Sequence, residues 1–86
     1  MGYKRLIFVI SDTITVYIKK PEGRHKWPHV HVVYKDGEKE CSIALNAELL
    51  LLKNGGFKVK DIRAFQEIMA THLEECMEAW REIHGD

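Results

Sequence analysis

The sequence predicts an α+β fold: an antiparallel sheet of about five strands, in two hairpin units, packed against one long C-terminal amphipathic helix. Strand-length apolar or alternating segments fill the chain up to residue 56, and Asn54-Gly55-Gly56 ends them. From about residue 59 the spacing of apolar residues changes from two to three or four, which is the period of a helix. At 86 residues we expect one domain, 1–86, with a strand-rich body over 1–56 and the helix over about 59–84.

The first two predicted strands lie before the first proline. Residues 4–10 form an apolar run that follows basic residues, as in a signal peptide, but Asp12 stands where a small-residue cleavage site would be. We therefore expect a strand there. Residues 13–19 alternate apolar and polar side chains, which predicts a half-buried second strand and an antiparallel hairpin.

The next three predicted strands follow the segment around Pro28. We expect strands over 29–35 and 39–45, joined at Asp36-Gly37 by a type I′ turn, which needs positive φ at both central residues. Asn46-Ala47 predicts a tight turn into a fifth strand over 48–53. Its four consecutive leucines suit a strand covered on both faces or one that meets a partner.

The helix is predicted by a single apolar stripe with Asp61 as a candidate N-cap. A helix over 61–84 spans about 36 Å, which is longer than the sheet needs. Its projecting end and the Leu49–Leu52 strand are therefore the candidate homodimer surfaces. The stripe consists of Ile62, Phe65, Met69, Leu73, Cys76, Trp80 and Ile83.

Composition indicates an ordinary globular protein, with 45% hydrophobic and 30% charged residues. No apolar run approaches the roughly twenty residues of a membrane span, so we expect a cytoplasmic protein without membrane contact. Cys41 and Cys76 are far apart and each occupies an apolar position of its pattern. They are predicted to be buried free thiols in a reducing compartment.

Charge is unevenly distributed along the chain. Residues 1–63 carry twelve Lys or Arg and seven Asp or Glu, a balance of +5, whereas residues 64–86 carry one and six, a balance of −5. The asymmetry predicts either a basic face for a polyanion or acidic partner, or two halves that neutralise one another within the fold.

The segment Arg24 to His31 concentrates three of the five histidines and one of the two tryptophans. On a strand, His29 and His31 project to the same side, about 6–7 Å apart. At that distance they are candidates for an acid and a base near neutral pH. Trp27 offers a flat face for a nucleic-acid base. The candidates for phosphate or partner binding are Arg24, His25, Lys26 and Trp27.

The histidine pair leaves three interpretations open. It suits the catalytic pair of a metal-independent ribonuclease, if the protein is an enzyme at all. With a third ligand from His25, His72 or Glu40 it suits a zinc site, although the sequence itself predicts neither a metal nor another cofactor. The pair is also typical of two solvent-facing histidines beside a tryptophan that caps the core.

Several motifs together resemble a family of small bacterial proteins known as a domain of unknown function, over about residues 12–82. They are Pro28-His29-Val30-His31-Val32, Tyr34, Gly37, Ser42-Ile43-Ala44-Leu45-Asn46, Leu49-Leu50, His72-Leu73-Glu74-Glu75 and Glu78-Ala79-Trp80. Family members carry a Pro-Pro-His-Phe-His-Val stretch, a hairpin and a helix with a Glu-Leu…Asn-Trp ending. The chain departs from that pattern at Val30, at Trp27 and at Phe57–Lys60, where a Leu-Pro helix entry is usual.

The resemblance implies a functional context, because family members often lie beside another small domain in gene pairs that resemble toxin–antitoxin modules. We therefore expect a component of such a module that binds a cognate protein, with RNA as a further ligand and His29 and His31 as the positions of interest. Two alternatives stay open. One is a non-catalytic protein-binding inhibitor carried by a phage or mobile element, and the other is a small metalloprotein with histidine ligands.

Overall fold

The computed structural model describes residues 3–20, 28–46 and 48–84, and these residues form five strands and two helices. Each strand pairs antiparallel with the next along the chain, so the sheet is a meander in the order β1-β2-β3-β4-β5. The predicted α+β class and the five-stranded antiparallel sheet are confirmed. The elements are β1 (Tyr3–Ser11), β2 (Ile14–Lys20), β3 (His29–Tyr34), β4 (Lys39–Ala44), β5 (Leu51–Gly55), α1 (Val59–Thr71) and α2 (Leu73–His84).

Both helices pack on the same face of the sheet. Successive side chains of a strand point to opposite faces, and one set from the central strands is completely buried in a single core with apolar residues of both helices. The fully buried strand residues include Val16, Ile18, Val30, Val32 and Ile43, and the helices add Ile62, Phe65, Met69, Cys76 and Trp80.

The hairpin between β3 and β4 has a longer turn than predicted. Tyr34 pairs with Lys39, so four residues connect the strands, and two of their amides bond to the Tyr34 carbonyl oxygen at 3.1 and 3.2 Å. Positive φ occurs at Lys35 (54°) and Gly37 (107°), not at Asp36. The hairpin is confirmed, but the two-residue type I′ turn is wrong because these two hydrogen bonds close a four-residue loop.

The fifth strand begins at Leu51 rather than at residue 48. Asn46 holds the preceding segment in a turn, since its side-chain carbonyl accepts two backbone amides at 3.1 and 3.4 Å. Leu49 takes a left-handed backbone conformation, φ 50°, and is buried in the core. Ala47, the second residue of the predicted tight turn, lies outside the described residues.

The leucine run that was a candidate homodimer surface is therefore not one continuous strand. Leu49 is 6% exposed, whereas Leu50 and Leu52 are 55% and 40% exposed. The homodimer itself stays a prediction.

The predicted single helix is wrong: two helices meet at His72, whose φ of −115° and ψ of 17° are not helical. The Thr71 hydroxyl donates to the Ile68 carbonyl oxygen at 2.8 Å. In an uninterrupted helix that oxygen accepts the His72 amide. The His72 amide instead bonds to the Met69 carbonyl at 3.1 Å, one residue closer. Threonine hydroxyls that bond to backbone carbonyls in this way bend helices.

The break shortens both helices without moving the apolar stripe, which continues from α1 into α2. The helices contain 13 and 12 residues, so neither has the length on which a projecting end was predicted. Within the described residues, neither helix combines the length and the apolar character needed to cross a membrane. Helix α1 begins at Val59, the predicted boundary, and Asp61 lies in its first turn rather than at the N-cap.

Both cysteines are buried and free, as predicted. Cys41 of β4 and Cys76 of α2 are 1% and 0% exposed. Burial raises the pKa of the Cys41 thiol to about 12 and that of Cys76 to about 11. The thiols are therefore neutral core groups at physiological pH.

Candidate functional site around His29 and His31

Strand register assembles a row of polar side chains across four strands. Tyr17 lies opposite His31, His31 opposite Ser42, and Ser42 opposite Lys53. Residues that pair directly share a face of the sheet, and the sequence neighbours of this row, such as Val32, point into the core. We call the face that carries this row the histidine face.

His29 and His31 lie on the same side of β3, as predicted, and their ring centroids are 5.1 Å apart. They are not solvent-facing, because only 3% of His29 and 9% of His31 is exposed. The His29 ring also lies 5.2 Å from the Trp80 ring. The tryptophan beside the histidines is thus Trp80 of α2 in the described part of the chain. Trp27 lies outside it.

His31 belongs to a hydrogen-bonded network with Glu40 of β4 and Lys19 of β2. The Glu40 Oε2 atom lies 2.9 Å from His31 Nδ1 and accepts a hydrogen bond from Lys19 Nζ at 2.8 Å. Ser42 Oγ lies 3.4 Å from the same ring nitrogen. The network links three adjacent strands and fixes the orientation of the His31 ring.

The charge on Glu40 determines which nitrogen of His31 carries the proton. Burial raises the pKa of the Glu40 carboxyl, but the hydrogen bond and charge of Lys19, together with His31, outweigh it and hold the pKa below its ordinary value of 4.5. Glu40 is therefore a carboxylate at neutral pH and can only accept hydrogen bonds. His31 Nδ1 must be the donor, which leaves Nε2 as the basic atom of the neutral ring.

Two lysines lie at this site, one within the network and one beside it. Lys19 is partly buried and paired with Glu40, whereas Lys53 is exposed at the end of the polar row on β5. The predicted phosphate-binding or partner-binding residues Arg24, His25, Lys26 and Trp27 all lie outside the described residues. The structure therefore places only the two histidines of the predicted site, and it adds two lysines near them.

Sequence reasoning named Glu40 only as a candidate metal ligand and did not identify Tyr17, Lys19, Ser42 or Lys53. The signal that finds them is strand register. Once Tyr34 pairs with Lys39, His31 must oppose Ser42 and Glu40 must lie diagonally next to His31 on the same face. The predicted two-residue turn implies the same register, because a pair between Lys35 and Glu38 also places Tyr34 opposite Lys39.

The zinc interpretation finds no third ligand in the part of the chain that the structure describes, where no group of three His, Cys, Asp or Glu is placed to hold a metal. Glu40 is engaged with His31 and Lys19. His72 stacks near Phe8, with ring centroids 4.5 Å apart, and pairs with Glu75 at 3.1 Å. His25 lies outside the described residues.

The histidine face also has an apolar margin on β1. Leu6 pairs with Tyr17 and Val9 pairs with Thr15, so both side chains lie on this face. They are 48% and 53% exposed. Two large apolar side chains are therefore exposed at the rim of the polar row.

A family model matches most of the chain. No curated protein and no solved structure shows significant similarity to the chain. The family model described as Domain of unknown function (DUF4160) matches residues 13–81. This range contains His29, His31, Glu40, Lys19 and most of α2, and it leaves out β1 and the ends of the chain. The chain therefore belongs to the DUF4160 family of domains of unknown function.

Proposed function

We propose that the protein is a component of a bacterial toxin–antitoxin-like module and that its main activity is to bind a cognate protein. The observation that supports this proposal is the apolar margin of the histidine face. Leu6 and Val9 of β1 are about half exposed on the histidine face. Exposed apolar side chains that are rimmed by polar groups mark protein interaction sites.

In this proposal the histidines support the binding surface instead of forming its contacts. His29 and His31 are almost completely buried, so they offer little area to a partner. Glu40 is about one-third exposed and Lys53 is exposed, and these side chains supply the polar contacts of the face. The buried His31 imidazole holds Glu40 in place through their 2.9 Å contact.

A second candidate activity is metal-independent RNA cleavage, which the His31–Glu40 contact favours. A carboxylate on Nδ1 orients the imidazole and places the lone pair of the neutral ring on Nε2, the nitrogen that a general base uses. His29, with its ring centroid 5.1 Å away, is the candidate acid. Lys53 lies in the same cross-strand row and is a candidate phosphate contact. This activity requires both rings to become accessible when RNA binds.

Growth of bacteria that express the chain separates the two activities. The wild type is compared with the His29→Ala/His31→Ala variant and with Val33→Ala as a matched control. Val33 is buried, 7% exposed, on the same strand and face, but has no ionisable group. Circular dichroism of the purified variants identifies any that fail to fold. A His31→Asn variant keeps a donor for Glu40 without the basic nitrogen.

Arrest of growth by the wild type and the Val33→Ala variant, but not by the histidine variants, supports RNA cleavage, and RNA degradation is then measured directly. If no form is toxic, the binding activity is tested by co-purification with the product of a small neighbouring gene. Failure of that product to bind the folded wild type contradicts the proposal. A partner that is instead encoded by a host favours the inhibitor interpretation.

A further inference from the structure

β1 is an outer strand of the sheet, and within the described residues no other strand pairs with its outer side. It is nine residues long, whereas β5 at the opposite edge has five. A long edge strand with exposed apolar side chains is a template for pairing with another chain. Leu6 and Val9 give β1 that character, whereas the shorter β5 exposes one large apolar side chain, Leu52, beside Lys53.

The outer side of β1 borders an acidic groove on its helix side. The groove is lined by Arg5, Leu6 and Ile7 of β1 and by Glu75, Glu78, Ala79 and Glu82 of α2. Arg5 pairs with Glu82 at 2.7 Å, and His72 pairs with Glu75 at 3.1 Å. Glu78 is exposed and contacts no cation in the part of the chain that the structure describes. The groove therefore has excess negative charge directly beside a free strand edge.

We propose that β1 binds an extended, basic segment of a partner protein, which adds to the sheet as a further strand. Its alternate side chains point to opposite faces, so lysine or arginine residues lie over Glu78 and Glu82 while apolar residues cover Leu6 and Val9. Main-chain hydrogen bonds supply affinity, and the two rows of side chains supply specificity. The inference rests on the proposed protein-binding function and assigns the chemistry of the partner.

The pairing of β1 with β2 limits the length of the bound segment. Register is regular from Tyr3 to Leu6 and shifts around Ile7 and Ile10. Such bulges twist an edge strand and interrupt its ladder of hydrogen bonds. The bound segment is therefore short, and it extends from the regular part of β1 next to the groove as far as Val9, which lies before the second shift.

Charge argues against a second copy of this chain as the occupant of the edge. In an antiparallel pair of two β1 strands, the α2 helix of each copy would lie beside the line along which the strands pair, so the two helices would be close together. Each α2 carries four glutamates against Arg81, so the two grooves would repel one another. A basic segment would instead be attracted by the negative charge of the groove.

The test uses a synthetic peptide in which lysine and valine alternate, titrated into the isotope-labelled protein and followed by amide NMR shifts. We expect shifts along β1 and around Glu78, and about tenfold weaker binding by a Glu78→Lys variant, since close charge pairs contribute strongly to such contacts. Val9→Lys weakens binding as well. Val59→Lys is the matched control, because Val59 is 68% exposed at the start of α1 and does not line the groove.

A peptide that alternates glutamate and valine separates charge from apolar contact, and its equal binding overturns the inference. Shifts located away from β1, or self-association through β1 in sedimentation, overturn it too. Binding of the cognate protein distinguishes failure of the β1 inference from failure of the proposed function. If that protein binds the wild type and Val9→Lys equally, the β1 inference fails while the proposed function stands. If it does not bind the wild type but the basic peptide binds β1, the proposed function fails and the assignment of the edge stands.

Discussion

The two buried thiols make the fold sensitive to alkaline pH, and the effect can be calculated. Cys41 and Cys76 have folded-state pKa values of about 12 and about 11, above the ordinary value of 9.0. A group whose folded pKa is raised contributes stability below its unfolded pKa, and this stability is lost as the pH rises through the folded pKa. We therefore expect stability to fall between about pH 9 and pH 12.

At pH 10 the thiols of the unfolded chain are mostly ionised, while those of the folded chain remain neutral. A tenfold shift of an equilibrium is worth about 1.4 kcal/mol, so each thiol costs about 1 to 2 kcal/mol at this pH. The two together cost about 3 kcal/mol, a large part of the roughly 5 kcal/mol that stabilises a small domain. The result depends little on the folded pKa values, because at pH 10 both thiols are still neutral in the folded state.

Urea unfolding at pH 8 and at pH 10 measures this loss in the wild type and in Cys41→Ala and Cys76→Ala variants. Each variant also loses packing energy, but that loss is common to both pH values and cancels in the difference. Each variant should therefore lose about half of the thiol contribution to the pH dependence. If the difference between pH 8 and pH 10 is the same in all three proteins, burial does not keep the thiols neutral and the reasoning is refuted.

Other predictions test the site and the helices. Because Glu40 has a folded pKa below 4.5, it contributes stability that is present above pH 4.5 and lost as the pH falls through the folded value. Glu40→Gln should therefore flatten the decline in urea midpoint between pH 6 and pH 3, and an unaltered decline contradicts this role. Thr71→Ala should slow amide exchange at His72 and stabilise the protein by about 0.5 kcal/mol in thermal unfolding. Unchanged exchange argues against the hydroxyl as the cause of the break. Met69→Ala should cost about 2–5 kcal/mol in urea unfolding, because this side chain is 0% exposed. Val59→Ala should change stability by less than about 0.5 kcal/mol, and equal losses would refute the assigned core.

The sheet was predictable because most of its strands are half buried. Period-two alternation located β2, β3 and β4 within a residue or two, since burial of one face imposes that pattern directly. The leucine run before β5 has no alternation, and the pattern therefore could not fix where that strand begins. Asn46 decides it through side-chain hydrogen bonds to the following backbone amides.

The helix break could not be predicted from the apolar stripe. Periodicity reports the direction of side chains, and Met69 and Cys76 reach the same core from both sides of His72. The break is a backbone event that involves one carbonyl, that of Ile68, and one hydroxyl, that of Thr71. A threonine inside a helical pattern is compatible with either outcome.

The candidate site was predictable in part. Alternation was sufficient to place His29 and His31 on one face, because they belong to the same strand. Their burial and the contact of His31 with Glu40 depend on neighbouring strands and on the register of the β3–β4 hairpin. The contact of His29 with Trp80 joins residues far apart in the chain, and no local pattern encodes it.

The meander order of the strands has a consequence for synthesis of the protein. Every strand pairs with its neighbour in sequence, so the hairpins can close one after another as the chain leaves the ribosome, and local topology of this kind folds quickly. Helix α2 is the last element to dock on the sheet, because the Arg5–Glu82 pair joins residues 77 positions apart. Until α2 docks, the nascent sheet presents an apolar face that includes Ile18 and Val30. During that interval the growing chain is expected to bind chaperones that recognise exposed apolar surface.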